Sequence, residues 1–163
     1  MQLLISDANI FIDFEDGGLL EELFDLGVTL AVPDVLLEDE LRDQHEALPE
    51  YGLRLMSLEA AAVERTIELA SRYRRPSRLD LAALALAEQE GCPLVTGDRR
   101  LREAANHEGV EVHGTLWVAE LLCTEGIVSV AQLRIAYAMM RGAGRRLPWQ
   151  VVEEQLQRLE EQP

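Results

Sequence analysis

Four acidic residues occupy places where a carboxylate can do chemistry: Asp7 in "LISDANIFID", Glu40 in "VPDVLLEDEL", Asp80 in "PSRLDLAAL" and Asp98 in "LVTGDRRL". Asp7 and Asp98 each follow a short apolar run of strand type, and Asp80 opens an apolar helical run. Glu40 lies one turn after Leu36, on the edge of a helix's apolar stripe, whereas Asp39 falls on the solvent side and Glu38 is held in reserve. Each acid also has an ordinary structural use. Asp7 and Asp98 suit helix N-caps, and Asp80 suits the acid of a capping box begun by Ser77. Asp13 reads as a solvated acid of the first helix or a polar contact near the site, and stands outside the set.

Those separate uses leave unexplained why all four acids fall at the carboxyl end of the strands, where open parallel sheets bind ligands. Carboxylates gathered there repel and raise one another's pKa, so the cluster calls for a divalent cation. An all-oxygen donor set suits Mg²⁺ or Mn²⁺. Zinc has no ligand set: His45, His107 and His113 are scattered, and Cys92 and Cys123 show no C-x-x-C spacing and read as small buried apolar groups. The natural complement of such an ion is a phosphate.

The elements that must position these acids alternate along the chain. "QLLIS", "VTLAVP", "LRLMSL", "CPLVTG" and "VEVHG" read as strands. Between them lie helical patterns: "ANIFIDF" running into "LLEELFDLG" and closed by Gly27, "EAAAVERTIELASRYRR", a helix from Ser77 to Gly91, and "DRRLREAANHEG" ending at Gly109. Strands separated by helices predict an α/β fold with a parallel sheet covered on both faces. From Thr115 the strand signal ceases, and helices are expected up to Gly126, from Val130 to Arg141, and after Pro148. The expected organisation is a domain over residues 1–122 and a helical extension over 123–163.

A chain of 163 residues with 48% hydrophobic content supports one compact core. The net charge of −15 argues against a non-specific duplex-DNA binder, although a nucleic-acid substrate is compatible with it. All 15 basic residues are arginine. The missing lysine removes a P-loop nucleotide site, and with it phosphate-receiver and dehalogenase-type phosphatase folds, which resemble this pattern but use a lysine at the phosphate. No segment has the length and apolarity of a membrane span and no secretory signal pattern opens the chain, so a cytoplasmic protein is expected.

The strings "LISDANIFID", "VPDVLLEDEL" and "SRLDLAALALAEQEGCPLVTGDRRLREAANHEGVEVHGT", in that order from Leu3 to Leu122, resemble a PIN domain of the PilT N-terminus type, which includes VapC-type toxins. The resemblance implies a three-layer α/β/α sandwich around a parallel sheet of about five strands and a Mg²⁺- or Mn²⁺-dependent ribonuclease. It matches Asp7, Glu40, Asp80 and Asp98 to the family's four acids, with Asn9 beside the first, Thr96 supporting the last, and Asp7, Asp80 and Asp98 as metal ligands. It further implies single-stranded or structured RNA as substrate, a small antitoxin partner if the protein is a toxin, and a homodimer. A non-catalytic PIN-like module that docks a protein partner is the competing expectation. Arginines 72, 74, 75 and 78, and 99, 100 and 102, flank Asp80 and Asp98; they read as solvated, acid-paired faces or as a grip on RNA backbone. Arg141, Arg145 and Arg146 suit an oligomer or partner contact.

Overall fold

The computed structural model describes residues 2–36 and 48–162. The chain runs β1 (Gln2–Ser6), α1 (Ala8–Asp16), α2 (Leu20–Leu23), β2 (Val28–Pro33), a helical turn α3 (Asp34–Leu36), α4 (Leu48–Tyr51), β3 (Arg54–Met56) and α5 (Ala60–Arg72). It continues through α6 (Arg78–Glu90), β4 (Leu94–Val95), α7 (Arg99–His107), β5 (Val112–His113), α8 (Thr115–Thr124), α9 (Val130–Gly142) and α10 (Trp149–Glu161). The five strands form one parallel sheet in the order β3-β2-β1-β4-β5. Among the described residues no helix is long and apolar enough to cross a membrane.

Strand periodicity sorts the core into two layers. Leu4, Leu30, Val32 and Val95 point to one face of the sheet, where Phe11, Phe14, Leu122, Tyr137 and Leu156 bring α1, α8, α9 and α10 into one cluster. Ile5, Ala31 and Leu94 point to the other, against Leu69 of α5, Leu84 of α6 and Leu101 of α7. The result is a three-layer α/β/α sandwich. Helix α6 is buried from Asp80 to Ala87, with its alanines letting α5 pack close behind it. It begins at the capping box of Ser77 and ends at Gly91, whose φ of 64° is the left-handed conformation that a Cβ disfavours.

The C-terminal helices lie against the sandwich. Leu133, Ala136 and Met140 of α9 share a core with Phe11 and Phe14 of α1, and α10 joins the same cluster through Val152, Leu156 and Leu159. One local expectation changes. The helical pattern after β1 is not a run closed by Gly27: α1 stops at Gly17, Gly18 takes φ 73°, and α2 is a single short turn. Gly27 instead donates its amide to Glu125 Oε1 at 3.1 Å.

Candidate functional site

Sheet order and register set Asp7 and the Thr96–Asp98 turn at the same edge. β1 is followed on one side by β2 and β3 and on the other by β4 and β5, so the connection direction reverses between β1 and β4, where ligands of open α/β sheets bind. Ile5 pairs with Leu94 and Ser6 with Val95. One residue further along, Asp7 and Thr96 leave the sheet side by side, with the Asp7 amide still bonded to the Val95 carbonyl at 3.3 Å.

Asp7 is fully buried. Its Oδ2 accepts from the Thr96 hydroxyl and from Asn9 Nδ2, the latter at 3.3 Å. Its Oδ1 is buried with no hydrogen-bond partner. Asp7 stands at the N-cap position of α1, yet its carboxylate makes no capping bond, so the capping use expected from the sequence is not the one the side chain has. Burial, reinforced by the charge of Asp80, pushes the Asp7 carboxyl up to about 7 against the opposing bonds from Thr96 and Asn9.

The Thr96 hydroxyl joins two of the acids. While donating to Asp7 it accepts from the Asp98 amide at 3.0 Å. Asp98 caps α7, its Oδ1 receiving the amides of Arg100 at 2.8 Å and Leu101 at 3.2 Å. Asp80 completes the capping box: Ser77 donates its amide to Asp80 Oδ2 at 3.0 Å and accepts the Asp80 amide at 3.1 Å. The capping uses of Asp80 and Asp98 are therefore real, and each occupies one carboxylate oxygen. Burial raises the Asp80 carboxyl, and the charge of Asp98 raises it further. Asp80 thus stands electrostatically between the other two, its charge felt at Asp7 and that of Asp98 felt at Asp80. Glu40, with Glu38 and Asp39, lies outside the described residues.

Asp13, read from the sequence as a solvated acid or a polar contact near the site, is the second: a buried member of this neighbourhood. Arg145 Nε donates to its Oδ1 at 2.6 Å and Thr115 Oγ1 to its Oδ2 at 2.7 Å. Arg145 also reaches Asn9 Oδ1 at 3.4 Å, so Asn9 is held between Arg145 and Asp7. The local signal was the position of Asp13 beside Ile10, on the edge of the stripe formed by Ile10, Phe11 and Phe14; its partner is far along the chain. Arg145 is accordingly engaged within its own chain, and Arg141 lies over the Trp149 ring at 5.3 Å. Of the arginines flanking the acids, Arg72 pairs with Glu68 and Glu108 and Arg99 with Glu103.

The donor set fits a hard divalent cation in kind: all oxygen, with one buried carboxylate oxygen unpartnered. Among the described residues no three ligating side chains converge into a ready-made metal cage. Magnesium does not need one, since it keeps several waters and takes one or two carboxylates together with substrate phosphate.

The family model for the PIN domain matches residues 3–161, nearly the whole chain. The chain belongs to the PIN-domain family. The match runs through α8, α9 and α10, the helices that close over α1. PIN domains are generally nucleases and typically use divalent metals. None of the curated proteins compared with the chain matches it.

Proposed function

We propose that this PIN domain is a Mg²⁺- or Mn²⁺-dependent endoribonuclease, hydrolysing RNA phosphodiester bonds at the carboxyl end of β1 and β4. The observation that carries the reading is Asp7: a fully buried carboxylate at the topological switch point, with one oxygen fixed by Thr96 and the other unpartnered. A buried charged group without partners is costly, and a cation is what offsets that cost.

Asp7 would be the central ligand, with Asp80 and Asp98 contributing their second oxygens directly or through water, and Glu40 as the fourth acid of the set. The bound ion would supply Lewis-acid activation of water and stabilisation of charge on the scissile phosphate. The chain's own part is positional. Thr96 holds Asp7 and the Asp98 turn in one geometry, Asn9 and Arg145 fix the near side of Asp7, and the surrounding core keeps bulk water from Asp7 Oδ2. The resemblance to VapC-type toxins extends the reading to one half of a toxin–antitoxin pair in the cytoplasm, with a small antitoxin covering the acids and a homodimer as the assembly.

A non-catalytic docking module has in its favour that no three described ligands converge. One experiment separates the two: cleavage of single-stranded RNA with Mn²⁺, wild type against Asp7→Asn. The nuclease reading expects products from the wild type alone; equal, background-level signal from both overturns it in favour of the docking module.

A further inference from the structure

Beside the acids lies a pocket of about 280 Å³ that the proposed chemistry does not use. Its walls include Gly97, which sits between Thr96 and Asp98, together with Arg102, Arg146, His113, Trp117 and Leu147. It therefore opens from the same turn that carries Asp98. The volume is close to the ~300 Å³ at which small-ligand pockets begin.

Two features of the wall point to one class of ligand. The first is charge. Acids outnumber arginines 30 to 15 in this chain, and Arg65, Arg134, Arg145 and Arg158 all have carboxylate partners. Arg102 and Arg146 have none among the described residues, which they share with Arg54, Arg74, Arg75, Arg78, Arg100 and Arg141; what sets them apart is that both line one concave surface. The Arg102 guanidinium lies over Gly114, where an added Cβ would stand 3.1 Å from its Nη1, so a glycine at that position makes the room it occupies. Two unpaired planar forks in a concave surface suit phosphate oxygens.

The second is an aromatic surface. His113 and Trp117 stack with centroids 4.0 Å apart and planes 11° from parallel, and both rings line the pocket. A π-face next to unpaired arginines is the combination by which proteins hold an unstacked base and its phosphate. Arg145 and Arg146 divide the work between the two places. The first turns to Asp13, and the second lines the pocket.

We propose that this pocket is a nucleotide subsite for single-stranded RNA, seating a base against His113 and Trp117 and the adjoining phosphate between Arg102 and Arg146. It deepens the nuclease reading and rests on it: the nucleotide held here neighbours the phosphate presented to Asp7. A duplex, whose bases are stacked, cannot fill it.

The test measures binding in a protein that the nuclease reading expects not to cleave. Fluorescence anisotropy follows a short labelled oligouridylate on the Asp7→Asn protein across a salt series, with cleavage by the otherwise wild-type chains assayed in parallel. Adding Arg102→Ala and Arg146→Ala is expected to weaken binding about tenfold or more and to flatten the dependence of log affinity on log salt by about 1.4. His113→Ala is expected to weaken it about fivefold with the salt slope kept. Arg54→Ala with Arg134→Ala, which removes the same charge from elsewhere, is expected to leave affinity within about twofold. Folding is checked by thermal denaturation of each variant. Equal affinity and slope for the pocket and control pairs, or no RNA binding by the Asp7→Asn protein, overturns the subsite. Failure of the wild type to cleave counts against the nuclease reading instead, and the anisotropy result stands apart from it.

Discussion

Arg145 Nε and Asp13 Oδ1 meet at 2.6 Å across 132 residues of chain, and the carboxylate that the arginine reaches is only 4% exposed. This contact ties the segment after α9 to the first helix beside Asp7. Removing Arg145 leaves Asp13 buried with the Thr115 hydroxyl alone. Arg145→Ala is expected to cost about 2–4 kcal/mol, below the full value for a wholly buried pair because the arginine is partly solvated. Adding Asp13→Asn to it should restore much of the loss; a double-mutant cycle by urea denaturation that gives additive effects would contradict the pairing.

The Asp7 carboxyl sets a pH dependence of unusual direction. Its pKa lies near 3.8 in the unfolded chain and about 7 in the folded one, so the folded state prefers the proton. Asp7 is neutral in both states below 3.8 and costs nothing there. As pH rises to about 7 the unfolded chain ionises first and this group progressively destabilises the fold, by at most about 4 kcal/mol. Asp7→Asn is therefore expected to raise the melting temperature at pH 8, with the gain shrinking towards pH ~4. Mg²⁺ should raise the melting temperature of the wild type and not of Asp7→Asn. A variant less stable than wild type at pH 8 would show that Asp7 is a structural acid.

Thr96→Val keeps the shape of the side chain and removes the hydroxyl that serves two acids. Cleavage is expected to fall about 10- to 100-fold, chiefly in kcat. Because the Thr96 bond lowers the Asp7 pKa, the alkaline-going limb of the rate profile should shift to higher pH in the variant. Thr96→Ser should recover most of the activity. An unaltered pH profile in a folded Thr96→Val protein would remove Thr96 from the positioning of Asp7.

A second ionic cluster ties together the helix layer of α5, α6 and α7, with Arg65 also reaching Glu88 of α6 at 3.0 Å. Glu108 accepts from Tyr73 at 2.5 Å, from Arg65 at 2.6 Å and from Arg72 at 2.8 Å. The Tyr73 hydroxyl, followed by the two arginines, holds its carboxyl down at about 2 against an ordinary 4.5. The stabilisation is complete above 4.5 and is lost as pH falls through that interval. Glu108→Gln is expected to be less stable by about 1–2 kcal/mol at neutral pH. The gap to wild type should narrow on acidification, and a gap independent of pH would assign the loss to packing.

The sandwich was legible because strand runs, caps and helix periodicity agree from residue to residue. Ser77 and Gly91 mark α6 in the sequence and bound it in the structure, and the sheet that those alternations predict is present. Asp7, Asp80 and Asp98 were legible as strand-end and helix-start acids. Their individual roles were less so: Asp80 and Asp98 cap as expected, while Asp7 occupies a cap position without capping. Asp13 stayed open between a solvated acid and a polar contact because one acid on the margin of an apolar stripe is locally indistinguishable from a solvated one, and only the return of the chain through Arg145 decides the matter. The same long return separates Arg145 from Arg146, two adjacent residues of identical type with different surroundings. Gly27 misled because a glycine after a helical pattern is a common stop, whereas here Gly17 and Gly18 end the helix earlier.

The late arrival of α9 and α10 has a consequence for the moment of synthesis. A ribosome that has released Asp7, Asp80 and Asp98 has not yet released Arg145, or the apolar residues of α9 that cover Phe11 and Phe14. The partial chain carries the acids while α1 still lacks its lid and Asp13 its counter-charge. Packing around Asp7 is thereby ordered by synthesis: the neighbourhood of the earliest acid is completed only when the segment after α9 has emerged.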